Sequence, residues 1–175
     1  KITSHLPLRG NKGNFYEGGI RVPLIVKWPG VVKPASTCNV PVISTDYYPT
    51  LLAMTGQPAR PRQHVDGRNL VPLLKQTGTV KRDALYWHYP NYIGAGHPGG
   101  ARPCSVVRSG DWKLIESFET NRLELFNLKE DLGEQANLAA KMPAKAKALQ
   151  RQLAAWRASA KVQMPKRNPA YKPGE

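Results

Sequence analysis

The sequence lacks an apolar run long enough to span a membrane. A bilayer-spanning helix needs about 20 consecutive apolar residues, and in this 175-residue chain charged residues, proline or glycine interrupt every apolar stretch. The first residues are polar and turn-like, unlike the apolar core of a signal peptide. No membrane partner is therefore expected, and an export signal, if the protein has one, would lie outside this chain.

Cysteine is scarce and its spacing carries no metal-binding pattern. Cys38 and Cys104 are the two cysteines, and neither lies in a CxxC or CxxxH arrangement. A structural zinc site is therefore not expected from the spacing. The two thiols could pair in an oxidising compartment, or both could remain as buried thiols, and their number does not decide between these.

Acidic residues are also scarce, with 12 Asp and Glu against 26 Lys and Arg and a formal net charge of +14. The segment from Lys141 to Glu175 contains nine basic residues and one acid. Such a segment is either a solvated helix face or a surface for an acidic glycan or nucleic acid. Its aromatic residues, Trp156 and Tyr171, do not form a stacking surface, which disfavours nucleic acid as a partner.

Proline and glycine are abundant, with sixteen and fifteen residues, and they divide the sequence into short elements. In the first half, Val22–Trp28 is an apolar run closed by Pro-Gly, which predicts a buried strand. A helix is predicted from Ser44 or Thr45 to Gly56, because Pro49 suits an early turn and glycine ends a helix. A shorter helical turn is predicted around 70–74.

The second half changes to strand patterns. Four short β-branched or aromatic segments, separated by turn residues, predict an antiparallel meander over 84–90, 104–110, 111–117 and 122–128. From Met142 the apolar period becomes helical, with Pro143 in the first turn. The helix stripe consists of Met142, Ala146, Leu149, Leu153, Trp156 and Ala160. This stripe is expected to cover one face of the meander.

The stretch "RGNKGNFYEGGIRVP", residues 9 to 23, is the strongest candidate for chemistry. Lys12 lies in a glycine-rich turn, where the backbone can approach a ligand and an ammonium can bind an oxyanion. The order GxxxxGK[ST] of a phosphate-binding P-loop is absent. From the residues alone, an anion site and a plain exposed turn with a solvated lysine both remain open.

Five motifs in succession resemble sulfatases of the arylsulfatase and N-acetylgalactosamine-6-sulfatase type. "PLRGNKGNFYEGGIRVPLIVKWPG" is similar to their Gly-x-Lys-Gly turn, aromatic-Glu-Gly-Gly and Arg-Val-Pro strand entry. "STDYYPTLLAMTG", "VDGRNLVPLL", "RSGDWKLI" and "LELFNLKEDLGEQANLA" resemble later family segments in the family's order. The resemblance covers about residues 6 to 140.

The resemblance implies an α/β, alkaline-phosphatase-like fold that ends in a small antiparallel sheet packed by a C-terminal helix. It also implies hydrolysis of aryl or sugar sulfate esters. In such enzymes a formylglycine, made from Cys or Ser, supplies the nucleophile, and Asp and Asn oxygens hold a divalent cation, usually Ca²⁺.

The sequence departs from the family pattern at that nucleophile. The motif Cys/Ser-x-Pro-Ser/Ala-Arg does not occur, and neither Cys38 nor Cys104 has its flanking residues. The paired aspartates of the metal site are missing as well. The chain is therefore interpreted as the C-terminal portion of a sulfatase, with its Ca²⁺ ligands upstream and no metal ligand of its own. We expect it to be inactive alone and to need the N-terminal part of the catalytic domain as its partner.

The resemblance implies that Lys12 is a catalytic residue of the complete enzyme. Its ammonium would bind a sulfate oxygen and offset the charge that develops on the bridging oxygen. Arg9 is a candidate substrate-binding residue, although it could instead only brace the loop. Glu17 and Arg21 are interpreted as a structural pair that fixes the Gly18–Gly19 bend.

Two histidines are predicted to contact substrate. His88 follows a strand, and a buried, hydrogen-bonded role is the alternative there. His97 lies in a glycine-rich loop of the kind that forms rims. His5 and His64 are interpreted as solvated loop residues.

These observations predict residues 1–80 as the end of the catalytic α/β domain, 81–162 as the antiparallel-sheet subdomain with its covering helix, and 163–175 as a basic disordered tail. Family resemblance implies a periplasmic or secreted protein acting on a sulfated sugar or aryl sulfate. Two alternatives stay open. One is a phosphodiesterase or phosphonate hydrolase of the same superfamily, and the other is a non-catalytic basic module that binds acidic glycan or nucleic acid.

Overall fold

A computed structural model describes residues 4–93, 102–166, 168 and 169. Along the chain the elements are α1 (Glu17–Ile20), a 3-10 turn (Ser44–Asp46), α2 (Tyr47–Met54), α3 (Val71–Leu74), β1 (Leu85–Tyr89), β2 (Cys104–Ser109), β3 (Trp112–Ser117), β4 (Leu123–Asn127) and α4 (Pro143–Ser159). By its internal contacts the chain divides into two compact units, Lys1–Val22 with Asp83–Glu175, and Pro23–Arg82.

The first unit is built on an antiparallel sheet with the strand order β1-β2-β3-β4, as the meander pattern predicted. Val107 lies opposite Leu114, and Leu114 lies opposite Leu125. Two residues adopt left-handed backbone at the predicted turns, Gly110 with φ of 58° between β2 and β3 and Asn121 with φ of 52° between β3 and β4. Glycine and asparagine tolerate this conformation better than other residues do.

One face of the sheet packs against α4. Val107, Leu114 and Leu125 form a buried cluster with Ala146, Leu149 and Leu153 of the helix. The aromatic rings of Tyr86 and Trp156 stack at the edge of this cluster, with centroids 4.8 Å apart and planes 3° from parallel. The predicted apolar stripe therefore does cover the meander. Two members of the predicted stripe, Met142 just before the helix and Ala160 just after it, are exposed.

The N-terminal segment packs against the opposite face. Because side chains alternate along a strand, Cys104, Val106, Ile115 and Phe126 point away from α4 and form a second cluster. Phe15 and Tyr16 of the N-terminal segment pack against this cluster. Lys113 and Arg108, opposite each other on β3 and β2, share the same face. The sheet is thus the middle layer between α4 and the segment that contains the candidate lysine.

The second unit, Pro23–Arg82, is organised around a buried aspartate. Asp46 is fully buried and accepts hydrogen bonds from the backbone N–H groups of Ile43 and Arg68, at 3.0 and 2.8 Å. Its carboxylate is also paired with the guanidinium of Arg82. The predicted helix between Ser44 and Gly56 is present as the 3-10 turn and α2, and α3 matches the predicted turn around 70–74.

The prediction of a buried strand at Val22–Trp28 is wrong for this structure. The segment has neither helix nor strand, and Val22, Leu24 and Ile25 are 71%, 45% and 92% exposed. A strand needs a neighbour to accept and donate its backbone hydrogen bonds, and the part of the chain that the structure describes provides none for it. Among the described residues, the apolar pattern of this segment is not accompanied by burial.

The contacts also place residues 4–22 with the sheet rather than with 23–82. The predicted domain limits at 80 and 162 remain predictions about the longer protein. Most of the predicted tail lies outside the described residues, and residues 163–166 have no helix or strand.

Cys38 is exposed and Cys104 is buried, and both thiols are free. Within the described ranges, no helix has the length and apolar character to cross a membrane.

Candidate functional site

Lys12 lies at the top of a tight turn between two left-handed glycines. Gly10 has a φ of 80° and Gly13 a φ of 97°, values that are costly for a residue with a Cβ atom. The backbone N–H of Asn14 donates to the carbonyl of Asn11 at 3.3 Å, and the Asn14 side chain accepts from the N–H of Tyr16 at 3.1 Å. The Lys12 side chain is exposed. Within the described residues its ammonium has no hydrogen bond or ion pair, so it is available to an anion.

The turn rests directly on α1. The N–H of Gly18 donates to the carbonyl of Arg9 at 2.8 Å, and a Cβ atom on Gly18 would lie 2.6 Å from the carbonyl oxygens of both Arg9 and Gly10. A Cβ atom on Gly19 would lie 2.1 Å from the carbonyl oxygen of Asn14. Two glycines are therefore needed here, because any side chain would lift the lysine turn from the helix.

The predicted pairing of Glu17 with Arg21 is wrong. The side chain of Glu17 is buried and its Oε1 lies 2.9 Å from Nζ of Lys113 in β3. Its Oε2 lies 3.4 Å from the guanidinium of Arg108 in β2. Arg21 contacts Glu17 only through its backbone N–H, which donates to the Glu17 carbonyl at 2.8 Å. A buried carboxylate requires a close cation, and the buried face of the sheet provides two.

Glu134, which follows β4, completes this buried cluster. Its Oε2 accepts a hydrogen bond from the backbone N–H of Glu17 at 2.6 Å, and its Oε1 lies 2.9 Å from Nζ of Lys113. The side chains of Lys113 and Glu134 are completely buried. Burial raises the pKa of the Glu134 carboxyl, and the neighbouring Lys113 charge opposes that rise. We call Glu17, Lys113 and Glu134, with Arg108 at their edge, the buried ion cluster.

Arg9 contacts the protein itself. Its guanidinium donates to the carbonyl oxygen of Glu134 at 2.8 Å and lies over the ring of Tyr16, 3.8 Å from the centroid. Tyr16 in turn donates to Glu124 at 3.0 Å. These contacts are those of a residue that braces the loop, and a role in substrate binding stays a prediction.

His88 has a protein partner on each ring nitrogen. Nδ1 lies 2.8 Å from the Ser105 hydroxyl, and Nε2 lies 2.8 Å from the carbonyl oxygen of Gln163. The ring is therefore held between β2 and the segment after α4, and a substrate would have to displace Gln163 to reach Nε2. The other predicted histidine, His97, lies outside the described residues.

His5 and His64 were predicted to be solvated loop residues. His5 is exposed. His64 accepts a hydrogen bond from the N–H of Arg60 at 3.1 Å and lines a shallow cavity of about 310 Å³ in the second unit, together with Leu52 and Arg68.

The segment after β1 runs beside the lysine turn. A Cβ atom on Gly13 would lie 3.5 Å from Cγ2 of Ile93. The neighbouring Tyr92 donates its hydroxyl to Glu119 at 2.6 Å, and this hydrogen bond, together with Arg102, lowers the pKa of Glu119. The Tyr92 side chain is 56% exposed.

Sequence reasoning missed Lys113, Glu134 and Arg108. The one local signal was a lysine inside the apolar strand sequence "WKLIES", since an unpaired charge is not expected in a buried strand. Nothing in the spacing linked it to Glu17, which is 96 residues away.

The described residues contain no group of three or more His, Cys, Asp or Glu side chains that could hold a metal ion. These residues therefore do not form a Ca²⁺ site by themselves, and the prediction that the Ca²⁺ ligands lie outside this chain stays a prediction.

A four-stranded antiparallel sheet packed by a C-terminal helix, with a glycine-lysine turn on its other face, is the ending that the resemblance to alkaline-phosphatase-like sulfatases predicted. Comparison with known proteins identifies the family. The family model described as N-sulphoglucosamine sulphohydrolase, C-terminal, matches residues 11–160. The chain belongs to this family of sulfatase C-terminal domains.

Named relatives agree with this assignment. The chain is 40% identical over 151 residues to a sulfatase from Formosa agariphila, which covers 81% of the chain and 27% of that protein. It is 41% identical over 106 residues to human arylsulfatase A, covering 61% of the chain and 19% of the relative.

Solved structures share the fold. Ps i-CgsB, crystallised with k-i-k-neocarrahexaose, matches with a TM-score of 0.71 and 26% identity over 87% of the chain and 32% of that structure. Phosphonate monoester hydrolase SpPMH from Silicibacter pomeroyi matches with a TM-score of 0.58 and 25% identity, over 76% of the chain and 28% of that structure. The chain thus spans between a fifth and a third of the length of these relatives.

Proposed function

We propose that the protein containing this chain hydrolyses sulfate esters, and that Lys12 is the residue of this chain that contacts the sulfate. The observation that carries the proposal is the geometry of the turn. An exposed ammonium, without a carboxylate partner among the described residues, is held between two left-handed glycines in a chain that belongs to a sulfatase family.

The chemistry assigned to Lys12 is electrostatic. Cleavage of a sulfate ester moves negative charge onto the bridging oxygen, and a fixed ammonium near this oxygen lowers the barrier because it needs no reorganisation. The nucleophile, expected to be a formylglycine, and the divalent cation, expected to be Ca²⁺, would belong to residues outside this chain. They would supply attack on sulfur and neutralisation of the sulfate oxygens.

The substrate class is proposed as a sulfated sugar or an aryl sulfate. Support comes from relatives: one solved neighbour, BT4656, was crystallised with its substrate D-glucosamine-2-N,6-O-disulfate and matches this chain with a TM-score of 0.63 and 25% identity. The net charge of +14 favours encounter with a polyanionic substrate. Because sulfated glycans occur mainly outside the cytoplasm, we propose a periplasmic or secreted location.

The test is the turnover of a chromogenic aryl sulfate by the complete protein and by its Lys12→Ala variant. Loss of a positioned charge-stabilising group is expected to lower kcat by about 10²-fold or more, while the melting temperature stays unchanged because the side chain is exposed. Lys147→Ala, which removes an exposed lysine on α4, is the matched control and keeps normal turnover. Near-normal kcat in Lys12→Ala would refute the role. The chain by itself is expected to show no turnover.

The structural match to SpPMH favours one alternative, hydrolysis of a phosphonate or phosphate diester. Both reactions place charge on a bridging oxygen, so the lysine turn suits either. Comparing kcat/KM of the complete protein for an aryl sulfate and an aryl phosphonate monoester separates them. A clear preference for the phosphonate would replace the sulfatase proposal.

A further inference from the structure

The lysine turn is anchored to the sheet by buried charges. Glu17, which begins α1 directly below the turn, has only about 2% of its side chain exposed, and Lys113 in β3 is fully buried. Burying a lysine is costly unless its charge is matched. Here two carboxylates, from Glu17 and Glu134, each lie 2.9 Å from its ammonium.

These contacts fix α1, and α1 fixes the turn. The two glycines after Glu17 leave no space for a methyl group between α1 and the backbone of residues 9–14. On the other side, Arg9 donates to the carbonyl oxygen of Glu134, the same residue whose carboxylate accepts from the N–H of Glu17. A shift of Glu17 relative to β3 would therefore move the whole turn, and with it Lys12.

The buried ion cluster fixes the distances between particular atoms, which apolar packing alone would not do. Lys113 lies opposite Phe126 in the sheet register, on the face that carries the apolar cluster of Val106, Ile115 and Phe126. An apolar residue would fill that position without the cost of burying charge. The hydrogen bond from Lys113 to Glu17 and the hydrogen bond from the Glu17 N–H to Glu134 are directional, so they set the position of α1 along the sheet, which non-directional contacts do not.

We propose that Glu17, held by Lys113, is a positioning residue for Lys12, so that the C-terminal sheet places the sulfate-contacting ammonium of the proposed reaction. This inference rests on the proposed function and goes beyond it, since it assigns a role in turnover to residues that do not reach the substrate.

The experiment measures kcat and KM of the complete protein for a chromogenic aryl sulfate in a double-mutant cycle of Glu17→Gln and Lys12→Ala. Glu17→Gln keeps the shape of the side chain and leaves Lys113 paired with Glu134, so the fold is expected to persist. Assays are run well below the melting temperature of each variant. A displaced turn is expected to lower kcat by about 10-fold or more, because small misplacements of a catalytic group have large effects.

The decisive readout is the effect of Glu17→Gln in the Lys12→Ala background. If Glu17 acts through Lys12, the second substitution has little further effect on kcat, within about two-fold, because coupled residues are non-additive. If Glu17 only stabilises the fold, kcat of the folded protein is unchanged in both backgrounds, and the inference is overturned. Equal losses of kcat in both backgrounds also overturn it.

Two further variants complete the design. Glu116→Gln removes another partly buried ion pair, with Arg157, on the face that contacts α4, and is expected to lower the melting temperature without changing kcat.

Should Glu17→Gln fail to fold, Arg108→Gln removes the outer partner of Glu17, which is 3.4 Å away. It is expected to lower kcat by about two- to five-fold, again only when Lys12 is present. Normal kcat in Arg108→Gln would then count against the inference. If Lys12→Ala retains full activity, the proposed role of Lys12 is refuted, and this result is distinct from a failure of the inference about Glu17.

Discussion

At the scale of residues, the two cysteines occupy opposite environments. Cys38 is exposed and Cys104 is buried, where burial raises the pKa of the Cys104 thiol to about 12. Because the thiolate is the reactive form, we expect a thiol reagent at pH 8 to modify one cysteine in the folded chain and two after denaturation. The Cys38→Ser variant is expected to show no modification until it unfolds. Rapid labelling of Cys104 in the folded variant would contradict the packing of β2.

The Glu134 carboxyl leads to a prediction about pH. Because its pKa is raised in the folded chain above the usual 4.5, the folded state holds a proton that the unfolded state releases as the pH rises above that value. The contribution of Glu134 to the free energy of unfolding therefore falls with rising pH across this window. We expect Glu134→Gln to gain stability relative to wild type between pH 4.5 and pH 7, as measured by urea denaturation. A relative loss over the same range would mean that Lys113 depresses the pKa instead.

Residue-level predictions from sequence succeeded where the signal was local. The left-handed turn at Gly110 and the stop at Gly56, with φ of 68°, follow from the conformational freedom of glycine. The predicted partner of Glu17 was wrong because Arg21, on the far side of the Gly18–Gly19 bend, was chosen from the local sequence, whereas the cation that neutralises Glu17 comes from β3. A buried ion pair between distant residues has no periodic signal in one sequence.

At the scale of elements, the contact between β1 and α4 can be measured directly. Tyr86 and Trp156 are stacked with nearly parallel rings, and such pairs contribute about 0.5–1.5 kcal/mol beyond the area they bury. A double-mutant cycle with Tyr86→Leu and Trp156→Leu is expected to give a coupling energy in that range, measured by chemical denaturation. As a control, Tyr86→Leu combined with Leu128→Ala, on the other face of the sheet, is expected to be additive.

Element prediction depended on whether an element's partner is in the chain. The four strands and α4 bury their apolar sides against each other, so their periods of two and about four residues were sufficient. Val22–Trp28 has an equally clear apolar pattern, yet it stays without a strand neighbour in the described structure. Apolar pattern predicts burial, but it does not say which chain provides the surface.

At the scale of the whole molecule, the chain corresponds to roughly a third or less of its relatives, and the apolar residues left exposed in the second unit are informative. They include Leu24, Ile25, Val40 and Leu51. Contiguous exposed apolar surface on a folded unit marks a place where another surface packs. In the complete protein we therefore expect the segment after Pro23 to be covered.

Amide hydrogen exchange tests this expectation. In this chain alone, residues 24–28 should exchange rapidly, since no strand partner protects their N–H groups, whereas β2 and β3 at the centre of the sheet should exchange slowly. In the complete protein, residues 24–28 are expected to exchange at least about 10-fold more slowly, because backbone pairing and burial would both protect them. The exposed turn at Ala59–Gln63 is the internal control and should exchange rapidly in both proteins. If residues 24–28 exchange equally fast in both, the apolar run is not a strand of the complete fold, and its exposure in this structure would be its native state.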